Sequence, residues 1–412
     1  MMLISVSLVV VLGMAALAVD VGNLWTARRR MQNAADAAAM AGVDAISVGE
    51  TGSSVTDAAQ DAAAQNGFTN GSTTTTSTSP VSVAVYNPPT SGFYQGLSTA
   101  VQVVVSQPQP TYFMRVLGWT QVPVSTTATA LAIGSGSCIF GLDPSATGAI
   151  TIDGTASLTS SCGVYDNSSS STAYTVSGGG TVSSTFIGVV GGTNVNGGGV
   201  TPTTTGIPHF GDPLAWVTQP SSSSYSCSNY KATDLTNAGT VSPGTFCGGI
   251  KITGGTVNFS PGLYIIDGGG IQITGGTITG NGVTFFLTGA NNQNGAPSSY
   301  GGVQINSTST VNLSAPCVAT GGGQTLGMLF FQDRTITNGV GSVINGSSAS
   351  TYNGALYFPT TSLSYSGNSS QGGYTLLVAD TLTINGTTNL GNDESACMGN
   401  NGPMIKDATL VE

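Results

Sequence analysis

Gly249-Ile250-Lys251-Ile252-Thr253-Gly254-Gly255-Thr256-Val257 returns 21 residues later as Gly270-Ile271-Gln272-Ile273-Thr274-Gly275-Gly276-Thr277-Ile278. Each copy is a short apolar-polar-apolar strand that runs into glycines. Successive side chains of a strand point to opposite faces. Ile250 and Ile252 are therefore expected to point inward, and Lys251 and its repeat equivalent Gln272 outward. The glycines suit corners where φ must be positive. A fixed period of this size is the signature of stacked coils. Related pieces are Ile150-Thr151-Ile152-Asp153-Gly154, Val283-Thr284-Phe285-Phe286-Leu287, Val303-Gln304-Ile305-Asn306 and Leu382-Thr383-Ile384-Asn385-Gly386. The reading is a mainly β chain whose residues 136–412 form a Gly/Ser/Thr-rich, right-handed parallel β-helix, with a β-sandwich as the alternative. The stretch Ser168 to Ser226 reads as irregular loop decorating the coils.

Composition supports a folded β-protein. Only 6% of residues are charged, against about 25% in an average domain. Yet 39% are hydrophobic, and they recur in short alternating runs. The net charge of −10 argues against nucleic acid as a partner, because neutralising phosphates takes Lys/Arg patches.

The other end of the chain is different. Met2 to Val19 is an uncharged apolar run of 18 residues, close to the roughly 17–25 needed to span a bilayer as a helix. A cleaved signal peptide with Ala16-Leu17-Ala18 as its processing site is the competing reading, but no positive residue precedes the run. Asp20-Val21-Gly22-Asn23-Leu24-Trp25 and Arg28-Arg29-Arg30 follow. Positive charge favours the cytoplasmic side, so the arginines alone would place the body inside the cell.

Six cysteines oppose that placement: Cys138, Cys162, Cys227, Cys247, Cys317 and Cys397. An even count fits an oxidising compartment. Neighbours in sequence suggest Cys138–Cys162, Cys227–Cys247 and Cys317–Cys397. No Cys-x-x-Cys pair exists and His209 is the only histidine, so neither a metal nor another cofactor is expected.

Between anchor and repeats, Ser54-Val55-Thr56-Asp57 has the form of a capping box opening a second helix that stops near Asn66-Gly67. Val81–Val85, Ala100–Val105, Val122–Ser125 and Ala128–Ile133 read as strands, and Tyr112–Gly118 as a short helix ended by its glycine. The domains are therefore 1–48, a transmembrane and pilin-like helix; 49–135, a small α+β pilin-like domain; and 136–412.

Gly13-Met14-Ala15-Ala16-Leu17-Ala18-Val19-Asp20-Val21-Gly22, followed by Arg28-Arg29-Arg30-Met31-Gln32-Asn33-Ala34-Ala35-Asp36-Ala37-Ala38-Ala39-Met40-Ala41-Gly42, resembles the N-terminus of TadE/TadG-like proteins. These are pseudopilin-like components of tight-adherence (Flp) pilus systems. The resemblance is strong over about the first 45 residues and extends weakly to about residue 135. It implies a membrane-exit motif at Asp20, Gly22, Arg28, Arg29 and Arg30, and Tad/Flp pilus or secretion components as partners. It implies an envelope location with the C-terminal region outside the cytoplasmic membrane, and no catalytic residues. In this family a basic segment and a small residue usually precede the apolar run, where this sequence has Met1-Met2.

A rival reading makes the repeats a membrane-tethered polysaccharide-active enzyme. Glycoside hydrolysis needs paired carboxylates, and the carboxylates available are Asp153, Asp212, Asp267, Asp333, Asp380, Asp393 and Glu394. Asp333-Arg334, after the apolar Phe330-Phe331, is the best pair, though a coil-corner turn or ion pair explains it more simply. Asp267, before three glycines, reads as a turn residue, and Asn392-Asp393-Glu394 as a solvated loop. His209 reads as a loop histidine. Tyr352, Tyr357, Phe358, Tyr365 and Tyr374 could stack on sugars, but fit a core or coil cap better. The function expected is adhesion or scaffolding by a non-catalytic envelope protein, with envelope or host-surface polysaccharide as a further partner. A self-assembling filament subunit is the remaining alternative.

Overall fold

The computed structural model describes residues 2–47, 51–133, 137–201, 203–207, 209–220, 231–289, 300–317, 325–337, 339–347, 349–367, 375–390 and 407–411. The chain is mainly β. It divides into two compact units, residues 1–135 with 405–412, and residues 136–404.

The first unit is a long helix against a sheet. Helix α1 is Met2–Ser47 and α2 is Ser53–Gln65. Strands β1 (Ser82–Tyr86), β2 (Ala100–Pro110) and β3 (Gln121–Ile133) form an antiparallel sheet. The two strands expected over residues 122–133 are one continuous strand. Helical spacing puts Met31, Ala34, Ala35, Ala38, Ala39 and Val43 on one buried stripe, where they pack on Val101, Val103, Val105, Ala128 and Ala130. Small side chains let the helix lie close to the sheet. A Cβ on Gly42 would come within 2.9 Å of Val101. The second helix has no side-chain cap at its start. Gly52 occupies the cap position, and the Thr56 hydroxyl donates back to its carbonyl. Its end is as expected, with Asn66 at the cap and Gly67 at φ 89°.

The sheet has a fourth strand from the far end of the chain. Asp407–Leu410 pairs antiparallel with β3, Asp407 opposite Ile133 and Leu410 opposite Ala130. Residues 405–412, read from sequence as part of the repeat domain, thus pack with the first unit.

The second unit is built from parallel strands in two large sheets, a pairing consistent with a β-helix. The repeat stacks in register, Ile250 on Ile271 and Ile252 on Ile273. The ladder continues from Ile273 through Ile305, Ile344, Tyr365, Ile384 and Ile152 to Val176. Lys251 and Gln272 are exposed and the flanking isoleucines buried. A second ladder is aromatic, with Tyr264, Phe285 and Phe330 ring centroids 5.2 and 5.6 Å apart.

Coil order in space is not chain order. Leu382–Leu390, the last described strand of the unit, pairs with Ile150–Ser160, one of the first. The chain therefore enters mid-stack and winds one way through Gly163–Asp166, Tyr174–Val176, Ile187–Val189 and Thr203–Thr205. It restarts at the opposite end near Thr233 and winds back. The expected loop over 168–226 is in fact coil as far as Thr205.

Candidate functional site

Asp333 and Arg334, the best catalytic candidates, clamp the segment that returns the chain between its two windings. The Asp333 carboxylate accepts from Gln219 Nε2 at 2.9 Å, Thr288 Oγ1 at 2.8 Å, and the Thr335 backbone N–H and hydroxyl at 2.9 and 2.8 Å. The Arg334 guanidinium donates to the Val217 carbonyl at 3.0 Å, the Leu214 carbonyl at 2.7 Å and the Tyr357 hydroxyl at 2.6 Å. It also lies 5.1 Å from the ring centroids of Phe331 and Tyr357. The Tyr357 hydroxyl donates in turn to Asp212, whose carboxylate is 3.9 Å from Arg334 Nε. Farther along, Phe210 packs edge-on to Phe140 and Tyr165. Its N–H donates to Asn167 Oδ1, which His209 also contacts. Residues 209–220 form a strap whose polar contacts fall on coils far apart in sequence.

The other candidates are dispersed. Asp267 is fully buried, and neither carboxylate oxygen has a hydrogen-bond partner among the described residues. Burial raises its pKa. Asp166 is also buried, and that pushes its carboxyl up to about 6, although the Ser168 and Ile150 N–H groups oppose the rise. Asp380 is raised by burial and by nearby Asp143. Asp153 is exposed and accepts from Ser177 Oγ at 2.7 Å. Tyr352, Tyr357, Phe358 and Tyr365 are fully buried, so they are core residues and not a sugar platform. Tyr374, Asp393 and Glu394 lie outside the described residues.

One surface feature escaped the sequence reading. Asn258, Thr279, Asn312 and Thr351 stack in register on successive coils. Beside them runs a second column, Asn281, Ser314 and Asn353. They line an uncharged shallow cavity of about 280 Å³. Thr279 donates to Asn258 at 2.9 Å, Thr351 to Asn312 at 3.0 Å and Ser314 to Asn281 at 2.6 Å. Only the first rung was legible, because the 21-residue offset relates Asn258 to Thr279.

In the first unit the membrane-exit motif has a defined structure. Asp20 is buried although its neighbours in the helix are exposed. Its carboxylate accepts the N–H groups of Tyr112 at 2.8 Å, Phe113 at 2.9 Å and Met114 at 2.6 Å. These open a short 3-10 turn, Met114–Leu117, closed by Gly118 at φ 93°. Burial works to raise the Asp20 pKa, but the three N–H donors prevail and hold it below 3.8. Gly22 and Arg28–Arg30 are exposed.

Two family profiles match here and overlap over residues 32–45. A Flp pilus-assembly TadE/G-like family matches residues 1–45, and a Tad-like Flp pilus-assembly family matches residues 32–130. The N-terminal region is TadE/TadG-like. Neither a curated protein nor a solved structure matches the chain. In the TadE/TadG-like region Asp20 joins the part under the first profile to residues 112–114 under the second.

Cys138 and Cys162 form a disulfide. Cys247 and Cys317 are disulfide-bonded as well, while Cys227 and Cys397, the partners expected for them, lie outside the described residues. No helix among the described residues is long and apolar enough to cross a membrane. Most of the apolar run falls on residues 2–12, whose side chains lie outside the described set. No group of His, Cys, Asp or Glu among the described residues could hold a metal ion.

Proposed function

We propose that this is a non-catalytic envelope protein that assists, or is incorporated in, a tight-adherence pilus. The run Met2–Val19 anchors it in the cytoplasmic membrane, and the coil unit, a right-handed β-helix, stands outside as a scaffold or adhesive surface. The observation that carries the reading is the Asp20 contact. It ties the end of the apolar run to the turn between β2 and β3, within the residues that match a family associated with pilus assembly. Disulfide-bonded cysteines support an oxidising compartment. The uncharged Asn/Thr columns suit contact with a neutral polysaccharide, since side-chain amides and hydroxyls can both give and accept hydrogen bonds.

The enzymatic alternative has less support. Asp333 and Arg334 are committed to the strap, and Asp267 is fully buried with no hydrogen-bond partner for its carboxylate among the described residues.

Protease accessibility on intact cells and spheroplasts, with non-reducing gels, tests this reading. The coil unit should be cleaved only from outside the cytoplasmic membrane and should migrate as an oxidised species. A reduced chain protected until the cytoplasm is opened would reverse the topology. Lost binding to a neutral polysaccharide in Asn312→Lys, with folding intact, would tie adhesion to the Asn/Thr columns.

A further inference from the structure

Strand β2 runs antiparallel to α1 down the face of the helix. Near its start Val101 meets helix residue Gly42. Farther along, Gln109 and Tyr112 share a cavity of about 240 Å³ with Asn23 and Arg30. At its end Tyr112–Met114 reach Asp20. The hairpin of β2 and β3 therefore points toward the N-terminal end of α1, and its tip stops level with the boundary between Val19 and Asp20.

That tip carries several exposed apolar side chains. Val116 is 87% exposed, Leu117 79%, Trp119 61% and Tyr112 61%. On the helix to either side of Asp20, Trp25 is 67% exposed and Leu17 51%. A contiguous exposed apolar patch marks an interaction surface. Tryptophan and tyrosine are favoured at the membrane interface, where an apolar ring meets a polar edge. Arginines are present nearby: Arg30 lines the same cavity as Tyr112, Arg28 and Arg29 are exposed beside it on the helix, and Arg115 is exposed in the tip. They can meet lipid phosphates while their stems lie along the apolar surface.

We propose that the hairpin tip, Tyr112 to Trp119, is a second membrane contact, lying in the headgroup region beside the point where α1 leaves the bilayer. This rests on the anchor reading of Met2–Val19. Asp20 acts as the latch. By satisfying three N–H groups it removes a polar load that would otherwise oppose placing the tip in a water-poor layer. The occupant is lipid and not another protein because the patch continues the apolar run of the helix itself, at the depth where that run ends.

The test uses the full chain reconstituted into phosphatidylcholine/phosphatidylglycerol vesicles. The chain has three tryptophans, so Trp25→Phe with Trp216→Phe leaves Trp119 as sole reporter. A companion without native tryptophans carries Leu17→Trp and reports the anchor. Nitroxide lipid labelled near the headgroup should quench Trp119, and lipid labelled deeper should quench the Leu17→Trp reporter. Adding Val116→Asp and Leu117→Asp should abolish quenching of Trp119 while vesicle association persists. If the Leu17→Trp reporter is quenched and Trp119 is not, the tip proposal falls and the anchor stands. Should Trp119 in that case also be shielded from aqueous acrylamide, a protein subunit covers the tip. If neither reporter is quenched, the anchor reading falls and takes the tip with it.

Discussion

The carboxylate of Asp20 accepts the backbone N–H of Met114 at 2.6 Å, across 94 residues of chain. A side chain on one helix thereby caps a turn at the tip of a distant hairpin, a task usually done by the residue beside the turn. Asp20→Ala should leave the N–H groups of Tyr112, Phe113 and Met114 without their acceptor. Hydrogen exchange at these three amides is expected to accelerate while the amides of β2 between Val101 and Val105 stay protected. Unchanged exchange at all three would mean that the contact does not hold in solution.

Arg334→Met should free the strap. The Leu214 and Val217 carbonyls lose their donor and Asp212 loses its countercharge. Each buried polar group left unsatisfied costs about 1–3 kcal/mol. The expected result is new proteolytic cleavage between residues 209 and 220, with the coils intact. A cleavage pattern identical to the parent would contradict the clamp.

Gly270 separates two kinds of glycine. It sits at φ 68°, and a Cβ there would lie 2.2 Å from the Gly302 carbonyl oxygen of the next coil. Gly270→Ala should destabilise the unit by about 2–4 kcal/mol, from left-handed strain and the backbone clash together. Gly254→Ala meets nothing within 4 Å and should be near neutral. Denaturant titration of the two variants checks the contrast.

Acid should help the coil unit before it harms it. The Asp166 carboxyl titrates near 6 in the folded protein, against 3.8 for an ordinary aspartate. The folded state therefore holds the proton more tightly, and stability is lost as pH rises from about 4 to about 6. The shift corresponds to roughly 3 kcal/mol. Asp380 and Asp267, also raised, act in the same sense. Thermal midpoints should fall between about pH 4 and pH 7, and Asp166→Asn should flatten that slope. A midpoint that rises across this window would refute the assignment.

The Cys138–Cys162 bridge closes a loop with a separation of 24 residues. Loop-closure entropy for that length is worth about 3 kcal/mol. The Cys138→Ser/Cys162→Ser chain should unfold at correspondingly lower denaturant, and equal midpoints would show that the bridge does no more than record the compartment.

Sequence alone determined the local patterns. Ile250, Ile252, Ile271 and Ile273 announced a buried ladder because a strand alternates its side chains whatever surrounds it. The uncharged apolar run from Met2 to Val19 announced a helix. Gly118 announced the end of a turn. Tertiary structure alone decided what met what. Every coil offers its neighbours the same row of N–H and C=O groups, so nothing local says that Leu382 pairs with Ile150 or that Asp407–Leu410 returns to β3. Nor does a lone Asp20, Asp333 or Arg334 reveal its partner. The energy of a buried carboxylate or guanidinium depends on which donors and acceptors surround it, and the fold brings those from 94 and 120 residues away.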